Sequence, residues 1–152
     1  MADYAGAVAA MRDYFVAGWV DGLNPRTAIA FQNEAFADQS TPWVYFEVIC
    51  ESSELRGIGT PGSHVWIYRG SIVIHVFVPL GYGAATAHEL AVAAGEVFRA
   101  KQFYDATPGC AVRTGVGPNG DGPKPVGGGS CADDGNWWRV SCISPFEFYY
   151  RG

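Results

Sequence analysis

The segment RGSIVIHVFVPLGYGAATAHELAVAAGEVFR, residues 69–99, decides the fold. Its first part alternates Ile72, Ile74, Val76 and Val78 with Val73, His75, Phe77 and Pro79, and β-branched residues dominate. A strand that is apolar on both faces is a central strand, with partners on either side. Pro79 removes a ladder donor and ends it, and Gly81-Tyr82-Gly83 turns the chain. Thr86 with Glu89 three residues on has the form of a capping box, whose hydroxyl and carboxylate satisfy free amides at a helix start, so the spacing predicts a helix from near Ala87. Leu90, Ala94, Val97 and Phe98 recur at helical spacing and face the sheet, leaving His88, Glu96 and Arg99 outward.

Upstream, Tyr4, Val8, Met11, Phe15 and Trp19 form one stripe of an amphipathic helix with Asp3 as N-cap, ended by Gly18 and Asp21-Gly22. Asn24-Pro25 marks a turn, and Ala28 to Gln32 reads as a short strand. Trp43 to Cys50 is a strand with Val44, Phe46, Val48 and Cys50 on one face and Trp43, Tyr45, Glu47 and Ile49 on the other. Residues 51–64, with four Ser or Thr and three Gly, read as an extended hairpin arm that carries no core. Downstream, Ala111 to Thr114 is a short strand, residues 115–135 are a Gly-rich loop with three prolines, and residues 136–149 form the last strand until Pro145 interrupts its alternation. The expected architecture is a single α+β domain over residues 1–152, with one mixed, mostly antiparallel sheet flanked by two main helices, and with long loops.

At 152 residues and 49% hydrophobic content the chain can build a core without disulfide or metal staples. A net charge of −5 with only two lysines argues against a basic nucleic-acid-binding face. No apolar run reaches membrane-spanning length, and the N-terminus lacks the charged region of a secretory signal, so a soluble chain made in the cytosol, with no membrane partner, is expected. Cys50, Cys110, Cys131 and Cys142 contain no C-x-x-C pair; buried free thiols are one reading, and a Cys110 to Cys131 bridge across the glycine-rich loop is the other.

Residues 115–120, GVGPNG, match the dinucleotide pattern G-x-G-x-x-G, but Pro118, Pro123 and Pro125 prevent the helix whose N-terminus would hold a pyrophosphate. His88-Glu89 begins like a zinc-protease helix, yet the position of the second histidine is Val92. Asp121, Asp133 and Asp134 match no calcium loop, no serine sits in a G-x-S-x-G elbow, and His75 reads as a hydrogen-bonded, partly buried strand residue. No catalytic residue, cofactor or metal ligand is assigned. Aromatic residues make up 14% of the chain and cluster in strands and near the C-terminus, a composition that suits protein interfaces as well as sheet packing.

The order of elements resembles the tail terminator-like proteins of long-tailed phages and of related prophages or gene transfer agents. The resemblance rests on FQNEAF (residues 31–36) followed by TPWV (41–44), on Arg69-Gly70 leading to VFVPLGYG (76–83) and an alanine-rich helix ending in Phe98-Arg99, and on WRVSC (138–142) running to Pro145-Phe146. It implies a structural virion protein in a ring, usually of six copies, at the head-proximal end of the tail. The ring caps the tail tube, stops its polymerisation and joins it to the head-completion protein, with assembly in the host cytoplasm and DNA passing through without specific binding. The surfaces expected to serve it are Glu54, Leu55, Arg56 and Ile58 in the arm and Trp137, Phe148 and Tyr150 in the last strand, with Arg56 foremost. A head-completion or neck connector would share this composition and bind the portal side instead. An enzyme would need a pocket joining His75 or His88 to cysteines or carboxylates.

Overall fold

The computed structural model describes residues 2–37, 39–57, 59–129 and 135–152. Helix α1 spans Tyr4–Gly18; the Asp3 carboxylate accepts the Gly6 amide at 2.7 Å, so the expected cap is present. Ala7, Met11, Phe15 and Trp19 are its buried stripe, with Ala7 in place of the expected Val8 and with Tyr4 half-buried at its start, and the Trp19 indole donates to Thr27 Oγ1 at 3.0 Å where the chain leaves the helix. Strands β1 (Val20–Asp21) and β2 (Asn24–Pro25) then form a small hairpin around Gly22 and Leu23. Gly22, at φ +68°, takes the first position of that two-residue turn, where a positive φ matches the twist of the flanking strands.

The main sheet contains β3 (Ala28–Phe31), β4 (Trp43–Gly57), β5 (Val65–Pro79), β6 (Lys101–Phe103), β7 (Ala111–Thr114), β8 (Lys124–Gly129) and β9 (Trp137–Arg151). Its order is β3-β4-β5-β9-β7-β6, with β8 pairing β9 beside β7; every pair is antiparallel except β3 with β4. Helix α2 (Ala84–Phe98) and α1 pack on one face, giving the expected α+β fold. Val44, Phe46, Ile72, Ile74, Val76, Val78, Val140 and Cys142 supply that face, and the Phe98 ring lies 6.0 Å from those of both Tyr14 and Phe15 and 6.4 Å from that of Phe46.

Several boundaries differ from the sequence expectation. Helix α2 begins three residues early because Gly83, at φ +92°, turns the chain directly into it; Gly83 is the N-cap, and Thr86 lies inside the helix without a capping role. Residues 51–57 are ladder rather than loop, since β4 continues to Gly57 opposite Val65. Within the stretch expected to be a glycine-rich loop, Lys124–Gly129 pairs with β9 as β8. The last strand also runs through Pro145. The Pro145 carbonyl accepts from Gly115 N–H at 2.9 Å, and the proline nitrogen falls at the changeover between β8 and β7, where no partner strand asks for a donor.

Strands of 15 residues extend about 50 Å, whereas 15-residue helices reach about 22 Å, so the β4–β5 hairpin outruns its cover. Residues 49–51 and 53–56 of β4 are exposed, while Ile67 on β5 is fully buried. The free edge of β4 is broken by register shifts at Cys50/Ser52 and Leu55/Gly57 and carries Glu51, Glu54 and Arg56, features that discourage indiscriminate strand pairing.

Cys50 is exposed, whereas Cys110 and Cys142 are buried; Cys131, and with it the bridge to Cys110, lies outside the described residues, as do Asp133 and Asp134. Burial pushes the Cys142 thiol up to about 11, because the thiolate is disfavoured in the core. Alkylation of the native protein near pH 8 is therefore expected to label Cys50 promptly and Cys142 only after denaturation, with peptide mass mapping as the readout. Equal labelling of both would contradict this packing.

Candidate interaction surface

Alternation along the strands sends Glu47, Val73, His75, Arg69, Ser141, Glu147 and Tyr149 to the face that no helix covers. Three zones lie along it. At one end Trp43 stacks on Phe77 at 4.2 Å, meets Trp137 edge-on at 5.9 Å and touches Phe36 at 5.0 Å. Trp137, expected at an interface, is thus a half-buried member of an aromatic cluster.

In the middle, register brings together three groups far apart in sequence. His75 Nδ1 lies 2.6 Å from Ser141 Oγ, and its Nε2 lies 2.9 Å from Glu47 Oε1. With the ring neutral, the serine hydroxyl donates to Nδ1 and Nε2–H donates to the carboxylate, an arrangement with the order of a serine-nucleophile triad. Such a triad also needs free backbone donors for an oxyanion. Here the neighbouring backbone is committed to ladders, with Tyr45 opposite His75, His75 opposite Ser141 and Val126 opposite Ser141. The geometry is that of a cross-strand polar ladder that ties three strands together, and His75 is the hydrogen-bonded strand residue the sequence led one to expect. Beside it, burial first and the Glu47 charge second hold the Tyr45 phenol above its usual pKa. His88 is exposed and meets only the edge of Trp138 at 6.0 Å, and among the described residues no group of three His, Cys, Asp or Glu side chains is placed to hold a metal ion.

At the far end is a recess of about 570 Å³ lined by Arg56, Arg69, Lys101, Arg113, Glu147 and Tyr149, among others. Arg69 bridges Glu147 and Glu54, each at 3.3 Å, and the Tyr149 hydroxyl donates to Glu147 at 3.1 Å. Arg113 lies over the Tyr149 ring at 5.2 Å and donates to Gln102 at 3.1 Å. Arg56, Lys101 and Arg113 have no carboxylate partner among the described residues, so a chain of net charge −5 gathers uncompensated cations in one place. A second, more apolar recess of about 480 Å³ shares Gln102, Arg113 and Tyr149 with it and is walled by Val65, Pro108 and Ala111.

Of the residues expected at interfaces, Glu54, Leu55 and Arg56 are exposed on the arm, and Ile58 lies outside the described residues. Phe148 is a correction: it is fully buried among the rings of Tyr68, Tyr104 and Tyr150 and offers no surface. Tyr150 shares its side of β9 and packs edge-on to Tyr68 at 6.5 Å, half-buried at the core margin. Arg69, Lys101, Arg113, Glu147 and Tyr149 were missed. Their convergence depends on strand register, which no single segment of sequence carries; only the parity of β9, continued through Pro145, pointed to Glu147 and Tyr149 on one face.

These features define an α+β protein with half-buried polar and aromatic groups along the sheet face that no helix covers and exposed side chains on a hairpin arm. Residues 7–146 match the family model described as phage tail terminator protein, and the chain belongs to that family, which makes it a structural component of the phage tail. No curated protein matches the sequence. Nine solved chains match the structure; one of them superposes with a TM-score of 0.57 at 19% identity, covering 96% of this chain and 93% of its own, a likeness of fold alone.

Proposed function

We propose that the protein closes into a ring, in the homohexameric form that the family resemblance suggests, on the head-proximal end of the tail tube. There it stops tube polymerisation and offers its other surface to the head-completion protein, and its work is assembly rather than catalysis. The observation that carries this reading is the β4–β5 arm, which extends exposed side chains and a guarded strand edge beyond the helices, beside a sheet face that no helix covers. Such elements suit heterologous contacts around a ring and docking on a tube rim. The acidic balance of the chain suits a bore through which DNA passes without adhering, since like charges repel.

Light scattering coupled to size-exclusion chromatography, on the protein alone and mixed with tail tube protein, tests this. The expected species has a mass of about six times 16.3 kDa, free or bound to tube ends. A chain that stays monomeric in both settings, or that ignores the tube and binds the portal assembly instead, would contradict it.

A further inference from the structure

Leu23, at the tip of the β1–β2 hairpin, is the most exposed large apolar side chain among the described residues, at 99%. A single exposed leucine carries no argument by itself, but this one has company. Val16 and Val20 are exposed on the approach to the tip, and the carboxylates of Asp13 and Asp21 flank them without an ion-pair partner among the described residues. The hairpin is thus a small apolar knob with the Asp21 carboxylate beside its tip and Arg26 at its base, where it lies over Trp19, tethered through residues 26–27 to β3, one edge of the sheet.

The opposite edge, β7 and β6, carries the complementary shape. The recess beside it has an apolar lobe at Val65 of β5, Pro108 and Ala111, with Asp105 at its rim held by Gln102, and a cationic lobe at Arg56 of β4, Lys101 and Arg113, where Glu147 is taken up by Arg69; Tyr149 lies between the two. The knob follows a helix that packs on one face of the sheet, while Arg69, Glu147 and Tyr149 open onto the other, so a single chain does not fill its own recess. A leucine beside an aspartate on one edge and an apolar lobe beside three unpaired cations on the other are complementary between copies.

Resting on the ring reading above, we propose that the hairpin of residues 20–25 in one subunit docks into the Arg113–Tyr149 recess of the next. Leu23 enters the apolar lobe and Asp21 pairs with Arg113 and Lys101. A contact between opposite edges is heterologous, the kind that closes rings when the rotation between copies permits. An apolar tip centred in a pocket with a charged rim also has the make-up of an energetic hot spot.

The test measures assembly by light scattering across a dilution series, with and without tube protein, for wild type, Leu23→Arg, Asp21→Arg, Arg113→Asp and the Asp21→Arg/Arg113→Asp pair. Leu23 and Asp21 are solvent-exposed, so their variants are expected to keep the wild-type melting temperature. Each single change is expected to raise the concentration for half-assembly about tenfold or more, equivalent to about 1.4 kcal/mol, and the double swap to recover most of that loss. If wild type assembles and the Leu23 and Asp21 variants assemble equally well, this contact is wrong while the ring stands. If wild type never assembles, with or without tube protein, the ring and this contact both fall.

Discussion

Gly70→Val is expected to be among the most damaging single substitutions in the chain, lowering unfolding stability by about 3 kcal/mol or more, the upper range for overpacking. Gly70 sits on β5 opposite Cys50, at the root of the arm where β4 shifts register. A β-carbon there would collide with the Ile49 carbonyl oxygen and come within 2.9 Å of the Phe146 ring, and neither can yield because one is ladder backbone and the other is buried core. Gly57 is the matched control, since a β-carbon at that position would meet Val65 only at an ordinary 3.5 Å. Urea unfolding followed by tryptophan fluorescence is expected to show a large loss for Gly70→Val and little change for Gly57→Ala. Equal midpoints would mean that the arm is not rooted as described.

Phe98→Ala is expected to cost about 3–5 kcal/mol, the range for deleting a buried aromatic side chain. Phe98 ends α2, is fully buried, and lies among the rings of Tyr14, Phe15 and Phe46, so it joins both helices to the sheet at one point. Its carbonyl also accepts from the buried Thr114 hydroxyl at 2.8 Å, which fixes the start of the β6–β7 region. Leu80→Ala, at a half-exposed site just past β5, is expected to be nearly neutral in the same unfolding measurement. Comparable losses at the two positions would contradict a core centred on Phe98.

The elements that local physics determines were legible in the sequence. The α1 stripe with its Asp3 cap, the central β5 and the β7 strand at Ala111–Thr114 each carry their own periodicity or cap. Where tertiary pairing decides, the sequence was silent. Lys124–Gly129 has no strand alternation and is a strand because β9 supplies its partner. The capping-box pattern at Thr86 was outweighed by a glycine able to take a positive φ. Phe148 shows how one boundary error propagates: once the alternation is stopped at Pro145, the residues beyond it lose their side, although unbroken parity from Trp138 through Cys142 and Phe146 places Phe148 in the core. The same register gathers Arg69, Arg113, Glu147 and Tyr149, and brings His75 to Glu47 and Ser141, from segments that share no motif. Among the described residues, Arg56 is the one chosen from sequence that the fold carries into the recess.

The role proposed above is to halt a growing tube, so the most direct measurement is electron microscopy of tail tube protein allowed to polymerise with and without this protein. The expected result is a ring seated at one end of each tube and elongation that ceases once the ring is in place. Tubes that carry no cap and lengthen as freely as they do without the protein would contradict the proposed role.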